Sequence, residues 1–407
     1  MLDKLQQWQP PADWLQLQTL DCHTGGEPLR IIIAGYPSPK GTTILAKRDD
    51  CLARFEQFRQ LLMFEPRGHA DMYGVLLTAP ERPDSLFGAI FMHNEGYSSM
   101  CGHATLALAK VAVQCGLVQP VAPVTQFYLD VPAGQLSVYA QLSQQGSGVR
   151  VERVWFDNVP SFMPRPELGL GAGFQPASPL HGLQARPDGQ PAMLTVTLPD
   201  GQSVPYQLGY GGAYYAYVPA DAIGLSLTPD NHSAIIAVGR AIKQAIATQI
   251  SLQHPAATEL AFLYGTIFYQ PLAPFYQPLA PDALPQSAVK QPQASVKPSG
   301  ESASCAVTRV YRNVCVFADG ELDRSPTGSG VAGFAAILQQ KGELAVGETL
   351  RVHSIIDSEF TVEIRQLLDL QGMPAVIARV SGEAFITGRH QFWLDPADPL
   401  SCGFLLR

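Results

Sequence analysis

Apolar positions along this chain follow two rhythms. Short alternating or continuous apolar runs, bounded by glycine, proline and polar clusters, predict strands. The first begins near Leu15, and Gly25-Gly26 and Pro28 punctuate a loop before the second at Leu29–Ala34. Gly74–Thr78 and Gly88–Met92 have the continuous character of buried strands, while Phe127–Val131, Gly134–Gln141 and Val149–Phe156 read as a meander. A glycine- and proline-rich connection follows over Val159–Pro191. The strand rhythm then returns at Thr195–Leu198, Ser203–Leu208, Ala213–Val218, Val307–Phe317, Thr349–His353, Glu359–Arg365 and Ala375–Ser381.

The second rhythm is helical. Leu52, Phe55, Phe58, Leu61 and Leu62 predict a surface helix over Leu52–Met63. Pro229-Asp230-Asn231 opens another that runs to about Ile250, with Ile235, Val238, Ile242, Ala245 and Ile246 on its inner face. Two further segments, ATLALAKVAVQ after Gly102-His103 and VAGFAAILQQ after Gly330, are apolar almost all round, which predicts helices buried on every side. Each stops at a glycine, Gly116 and Gly342.

These two buried helices carry one motif twice. Ser98-Ser99-Met100-Cys101-Gly102-His103-Ala104 leads into the first and Asp323-Arg324-Ser325-Pro326-Thr327-Gly328-Ser329-Gly330 into the second. Cys101 and Thr327 hold the same place, since glycine follows each by one and by fifteen residues. A motif repeated 226 residues apart predicts two similar halves, each aiming a helix N-terminus at a shared cleft. A cysteine at a helix start feels roughly half an elementary positive charge from the unpaired N–H groups. Such sites lower a thiol pKa from about 8.5 into the range of roughly 3.5 to 7.5. Cys101 is therefore expected to ionise more readily than a free thiol and to serve as a base.

Composition narrows the possibilities. At 407 residues, 46% hydrophobic and 15% charged, the chain is long enough for two domains with their own cores. A net charge of −8 argues against nucleic acid or an acidic membrane as a partner. The sequence opens on no basic-then-apolar leader and holds no apolar run long enough to span a bilayer, so a cytoplasmic location is expected. Seven cysteines (22, 51, 101, 115, 305, 315 and 402) are odd in number and form no CxxC pair, which predicts neither a disulfide framework nor a zinc knuckle. His69 with Asp71, and His93 with Glu95, mix imidazole and carboxylate, but alternate spacing alone does not specify a metal site, and none is expected. Ser329 lies in TGSGV rather than in a G-x-S-x-G elbow, against a serine hydrolase. Between Tyr269 and Ser304 a tandem YQPLAP and seven prolines predict an exposed, partly disordered insertion.

MCGH followed by DRSP-x-G-x-G resembles the proline racemase family. The likeness extends through Asp21-Cys22-His23-Thr24-Gly25-Gly26-Glu27-Pro28, the loop Glu65–Met72, His93-Asn94-Glu95-Gly96-Tyr97 and Tyr210-Gly211-Gly212-Ala213. Racemases and epimerases of the family carry cysteine in both motifs. Thr327 in the second motif, with Ala104 after MCGH, is similar to the trans-3-hydroxy-L-proline dehydratase branch. The resemblance implies an α+β fold of two pseudo-symmetric mixed-sheet barrels (diaminopimelate epimerase-like), each around a central helix, with the ligand between them. The first half is expected over 1–150, with 388–407 crossing back to complete it. The second is expected over 151–387, with the Pro-rich insertion at about 270–304.

The resemblance also implies substrate contacts for His103 and Asp323, the latter suited to a protonated ring nitrogen. The alternatives are helix capping for His103 and an ion pair of Asp323 with Arg324 or Arg309. The N–H groups near Gly102, His103, Gly328 and Ser329 are expected to hold the substrate carboxylate. Racemisation needs an acid/base group on each face of Cα, and Thr327 is too weak an acid and base for the second role. In trans-3-hydroxy-L-proline the Cα hydrogen and the hydroxyl share a face, so Cys101 alone could take the proton and return it to the departing hydroxide. The expected activity is thus a cofactor-independent dehydration to Δ1-pyrroline-2-carboxylate. A proline racemase or hydroxyproline 2-epimerase, and a non-catalytic imino-acid binding protein, are the alternatives. The expected partner is a small imino acid, with no nucleic acid and no membrane, and a homodimer is compatible with this reading.

Overall fold

The computed structural model describes residues 1–146, 148–165, 172–174, 191, 193–272 and 307–406. Each predicted buried helix is the axis of a strand barrel. Around Gly102–Gln114 run, in spatial order, Ala384–Leu394, Leu15–Thr24, Glu27–Ala34, Gly74–Thr78, Ser85–Met92, Val124–Val131, Gly134–Gln145 and Gly148–Asp157. Around Gly328–Gln340 run Ser161–Phe162, Ser203–Tyr210, Tyr214–Pro219, Leu263–Pro271, Val307–Phe317, Thr349–His353, Glu359–Leu370 and Met373–Gly382, which returns to Ser161–Phe162. This is the α+β fold of two pseudo-symmetric mixed-sheet barrels.

The same plan is executed twice. A hairpin crosses through helix to a second hairpin, and that hairpin crosses through the central helix to a three-strand meander. Both crossovers in each half join parallel strands, because only a long connection can return a chain in the same direction. The parallel neighbours are Glu27–Ala34 with Gly74–Thr78 and Ser85–Met92 with Val124–Val131 in one half. In the other they are Tyr214–Pro219 with Leu263–Pro271 and Val307–Phe317 with Thr349–His353. Both central helices are buried from their first residue almost to their last, each wrapped by apolar strand faces.

The halves also exchange strands. Gly148–Asp157 pairs with the meander of the first half and, at Val154–Asp157, with Arg379–Gly382 of the second. Directly after Met373–Gly382, the chain crosses back as Ala384–Leu394 and pairs along Leu15–Thr24. Phe385–His390 is mostly exposed, at apolar and polar positions alike, so it shows no alternation that would signal a strand.

The predicted helix Leu52–Met63 is two helices, Ile44–Arg54 and Glu56–Met63. Thr43 caps the first by accepting from Ala46 N, and Phe55, at φ −129°, breaks the run, its N–H returning to Cys51 O. The break resets the helical phase: Ile44, Lys47 and Cys51 are buried, while Leu52 is 56% exposed. The helix predicted after Pro229 is preceded by a 3-10 turn, Pro229–Asn231, and covers His232–Gln249 with Ile235, Ile242 and Ile246 buried. Of the connection 159–191, Ser161–Phe162 and Ala172–Phe174 are strands, and most of the remainder lies outside the described residues. Beyond Leu272, so does the expected insertion, whose first residues complete the strand Leu263–Pro271. Among the described residues no helix is long and apolar enough to cross a membrane.

Candidate active site

The two central helices begin against one another. A Cβ on Gly102 would lie 2.4 Å from Gly328 Cα and 3.0 Å from Ser329 N, and one on Gly328 would lie 2.6 Å from Gly102 Cα. Only glycine tolerates that approach. Two helix N-termini, each with unpaired N–H groups and a partial positive charge, therefore converge on one small cavity. Like poles brought together repel, and an anion between them removes that cost.

Cys101, Gly102, His103, Asp323, Thr327, Gly328 and Ser329 all line this cavity, whose volume is about 20 Å³. That is room for about one water. Cys101 is the N-cap of the first helix and accepts from Ala104 N at 3.4 Å. Thr327 is the N-cap of the second, at φ 66°, a backbone that β-branched residues avoid, and its side chain caps nothing. Thr327 N donates to Ser325 Oγ at 3.1 Å. The glycines of Tyr210-Gly211-Gly212-Ala213 let that turn press on both helix starts. A Cβ on Gly211 would strike Ser329 O at 2.1 Å, and one on Gly212 would strike Met100 at 2.5 Å.

The electrostatics differ from expectation at the thiol. Burial pushes Cys101 well above its ordinary value, the charges of Asp323 and Glu27 add to that, and the Ala104 N–H and the Tyr73 hydroxyl oppose it. The expected lowering counted only the helix terminus, whereas Cys101 is 3% exposed and feels the charges of two carboxylates. The imidazole of His103 lies 3.2 Å from Cys101 Sγ through Nδ1, and burial pushes it down to about 3, so it is neutral near pH 7. His103 thus sits on the sulfur rather than only capping the helix.

Asp323 is 3% exposed, accepts from Ser325 N at 2.8 Å, and is pushed up to about 6 by burial. Arg324 points away from it, pairing with Asp71 Oδ2 at 2.8 Å, while Arg309 pairs with Glu343. Among the described residues neither forms an ion pair with Asp323, although the Arg324 charge opposes the rise of its carboxyl.

Sequence reasoning assigned no role to Glu27, Tyr73, Tyr215, Tyr264 or Phe317. Glu27 is fully buried, accepts from Arg324 N at 2.8 Å, and is raised by burial and by Asp323. Its place in the Asp21–Pro28 segment that carries the resemblance was the available signal. The four aromatic residues wall the cavity, with Tyr73 bonded to Ser98 Oγ at 2.6 Å and Tyr215 to Ser329 Oγ at 2.7 Å. They come from segments distant in sequence, Tyr73 just ahead of the strand Gly74–Thr78 and the others on strands, so no local pattern marks them. Among the described residues no three His, Cys, Asp or Glu side chains form a metal-binding group. Asp71 pairs with Arg324 and His93 lies 3.7 Å from Glu321, so both mixed pairs serve the inter-half contact.

The proline racemase family profile matches residues 19–171, 190–307 and 299–405. A trans-3-hydroxy-L-proline dehydratase of Colwellia psychrerythraea is 43% identical, covering 99% of this chain and 97% of that protein. A 3-hydroxyproline 2-epimerase of Burkholderia multivorans is 36% identical, covering 96% of this chain and 98% of that one. Among solved structures, a hydroxyproline epimerase from Agrobacterium vitis with bound trans-4-hydroxy-L-proline superimposes with a TM-score of 0.76 at 24% identity, covering 97% of this chain and 96% of that one.

Proposed function

The chain belongs to the proline racemase family, and from that premise we propose that it dehydrates trans-3-hydroxy-L-proline to Δ1-pyrroline-2-carboxylate. One observation carries the reading: the abutting helix starts present a thiol, Cys101, on one side and a hydroxyl, Thr327, on the other. The substrate carboxylate sits where the two N-termini converge, held by N–H groups around Gly102, His103, Gly328 and Ser329. Asp323 accepts from the protonated ring nitrogen.

Cys101 as thiolate takes the Cα proton, and the charge that develops moves into the carboxylate, where the helix N–H groups already point. The Cα–H electron pair becomes the Cα–Cβ double bond as the C3–O bond breaks. Hydroxide leaves from the same face, takes the proton back from the Cys101 thiol and departs as water. The enamine then tautomerises. Burial raises the Cys101 thiol most and the Asp323 and Glu27 charges add to it; the cationic ring nitrogen offsets that charge contribution, so substrate binding shifts the thiol toward the thiolate.

The epimerase named among the relatives makes 2-epimerisation the competing activity. It requires an acid/base group on the opposite face of Cα, and Thr327 supplies none. Incubation of the purified protein with trans-3-hydroxy-L-proline, followed by borohydride reduction and detection of proline, tests the assignment. Wild-type protein is expected to yield proline and Cys101→Ser to lose about a hundredfold or more in rate. Epimerised 3-hydroxyproline as the main product, or full activity in Cys101→Ser, would overturn it.

A further inference from the structure

The motif His93-Asn94-Glu95-Gly96-Tyr97 takes no part in the chemistry above, yet it forms a wall of a second cavity. This one, of about 270 Å³, lies between the halves, faced by Arg48, Leu52 and Tyr97 from the first and by Lys243 and Phe262 from the second. Tyr264 lines both this cavity and the catalytic one. Its ring stacks on Phe317 at 5.5 Å and meets the His93 ring edge-on at 5.6 Å. Phe262, 37% exposed, stands outside it at 6.3 Å. Tyr264 is thus the residue common to a chamber with room for a single water and a larger one between the halves, with Phe317 on the inner side and His93 on the outer. The outer chamber carries both signs of charge side by side, with Lys243 Nζ 3.4 Å from Glu95 Oε2 and Arg48 nearby, which suits a zwitterion.

We propose that this outer chamber is the route by which the imino acid reaches Cys101, and that the Tyr264 ring is the gate it must displace. The catalytic cavity of about 20 Å³ cannot take an imino acid as it stands, so some wall must move. Gly102, Gly328 and Ser329 are held where the two helix starts abut, and Met100 is held against Gly212. Tyr264, by contrast, has the outer chamber on its far side to turn into. The turnover arm of the test rests on the function proposed above, while the labelling arm does not.

Gly96 supplies the means. A Cβ there meets nothing within 4 Å and its φ is not left-handed, so a side chain can start at Gly96 without a backbone clash, and the indole of Gly96→Trp is large enough to occupy the chamber that Gly96 lines. The readouts are the rate at which iodoacetamide alkylates Cys101, resolved by peptide mapping and divided by that of exposed Cys402, and kcat/KM for trans-3-hydroxy-L-proline. Gly96→Trp is expected to lower both by roughly tenfold, the effect of about 1.4 kcal/mol on a barrier. Gly96→Ala should change neither, and Tyr264→Ala should accelerate labelling. A rival entrance exists in a cleft of about 860 Å³ that includes Gly25, Gly26, Ile356 and Thr361, and Thr361→Trp should leave both rates unchanged. Labelling of Gly96→Trp at the wild-type rate, or slowed labelling in Thr361→Trp, would overturn the route. Slowed labelling in Gly96→Trp with no turnover by the wild type would leave the route standing and remove the proposed reaction.

Discussion

Gly102→Ala tests the geometry on which the site depends. The added Cβ would lie 2.4 Å from Gly328 Cα, 2.7 Å from Gly328 C and 3.0 Å from Ser329 N, all backbone atoms of the opposing helix start. Ordinary Cβ contacts begin near 3.4 Å, so the two helix starts must separate by about 1.0 Å. No flexible side chain is available to yield, and both helices are locked inside barrels. Overpacking of this kind costs about 1–3 kcal/mol, which should lower Tm by a few degrees. The larger effect falls on turnover. The N–H groups that receive the developing carboxylate charge belong to both helices, and a misplacement of about 1 Å can cost on the order of a hundredfold in rate. The assay is kcat/KM for trans-3-hydroxy-L-proline beside a thermal melt, with Gly96→Ala as the glycine that has open space around it. Gly102→Ala should fold, melt slightly lower and lose about two orders of magnitude in kcat/KM. Wild-type turnover in this variant would refute the claim that the abutting N-termini form the carboxylate site.

Asp323 sits near 6 in the fold against about 3.9 unfolded, so its contribution to stability is full below about 3.9 and is lost as pH rises through about 6. Asp323→Asn should therefore raise Tm at pH 8 and not at pH 4 while impairing turnover; an equal change at both pH values would show that the buried charge is not the cause. cis-3-Hydroxy-L-proline, whose Cα hydrogen and hydroxyl lie on opposite faces, should be a poor substrate, and turnover comparable to that of the trans isomer would sink the one-thiol mechanism. Thr327→Cys places an acid/base group on the second face and removes a β-branch from a φ of 66°, so it should gain detectable epimerisation of proline or 4-hydroxyproline. Chiral chromatography after long incubation checks this, and strong epimerisation by the wild type would show that Thr327 is not the switch.

What the sequence determined by itself was whatever local pattern can encode. All-round apolarity marked both central helices as buried, and the duplicated Cys101 and Thr327 motifs implied two halves sharing a cleft. The stops at Gly116 and Gly342 and most strands were legible because backbone periodicity and turn chemistry act over a few residues. The tertiary structure decided the rest. Gly102 and Gly328 are ordinary helix-start glycines until the halves meet, and only then does their missing Cβ become the condition for the site. The expected lowering of the Cys101 thiol, though not its expected place in the site, is overturned for the same reason. A helix start favours a thiolate, but burial against Asp323 and Glu27, supplied by other segments of the chain, outweighs it. Glu27, Tyr73, Tyr215 and Tyr264 gain their place from segments far apart in sequence, and the crossing strand Ala384–Leu394, which shows no burial alternation, is specified by its partner Leu15–Thr24. Desolvation and close approach are properties of surfaces brought together, and a linear pattern of residues does not contain them.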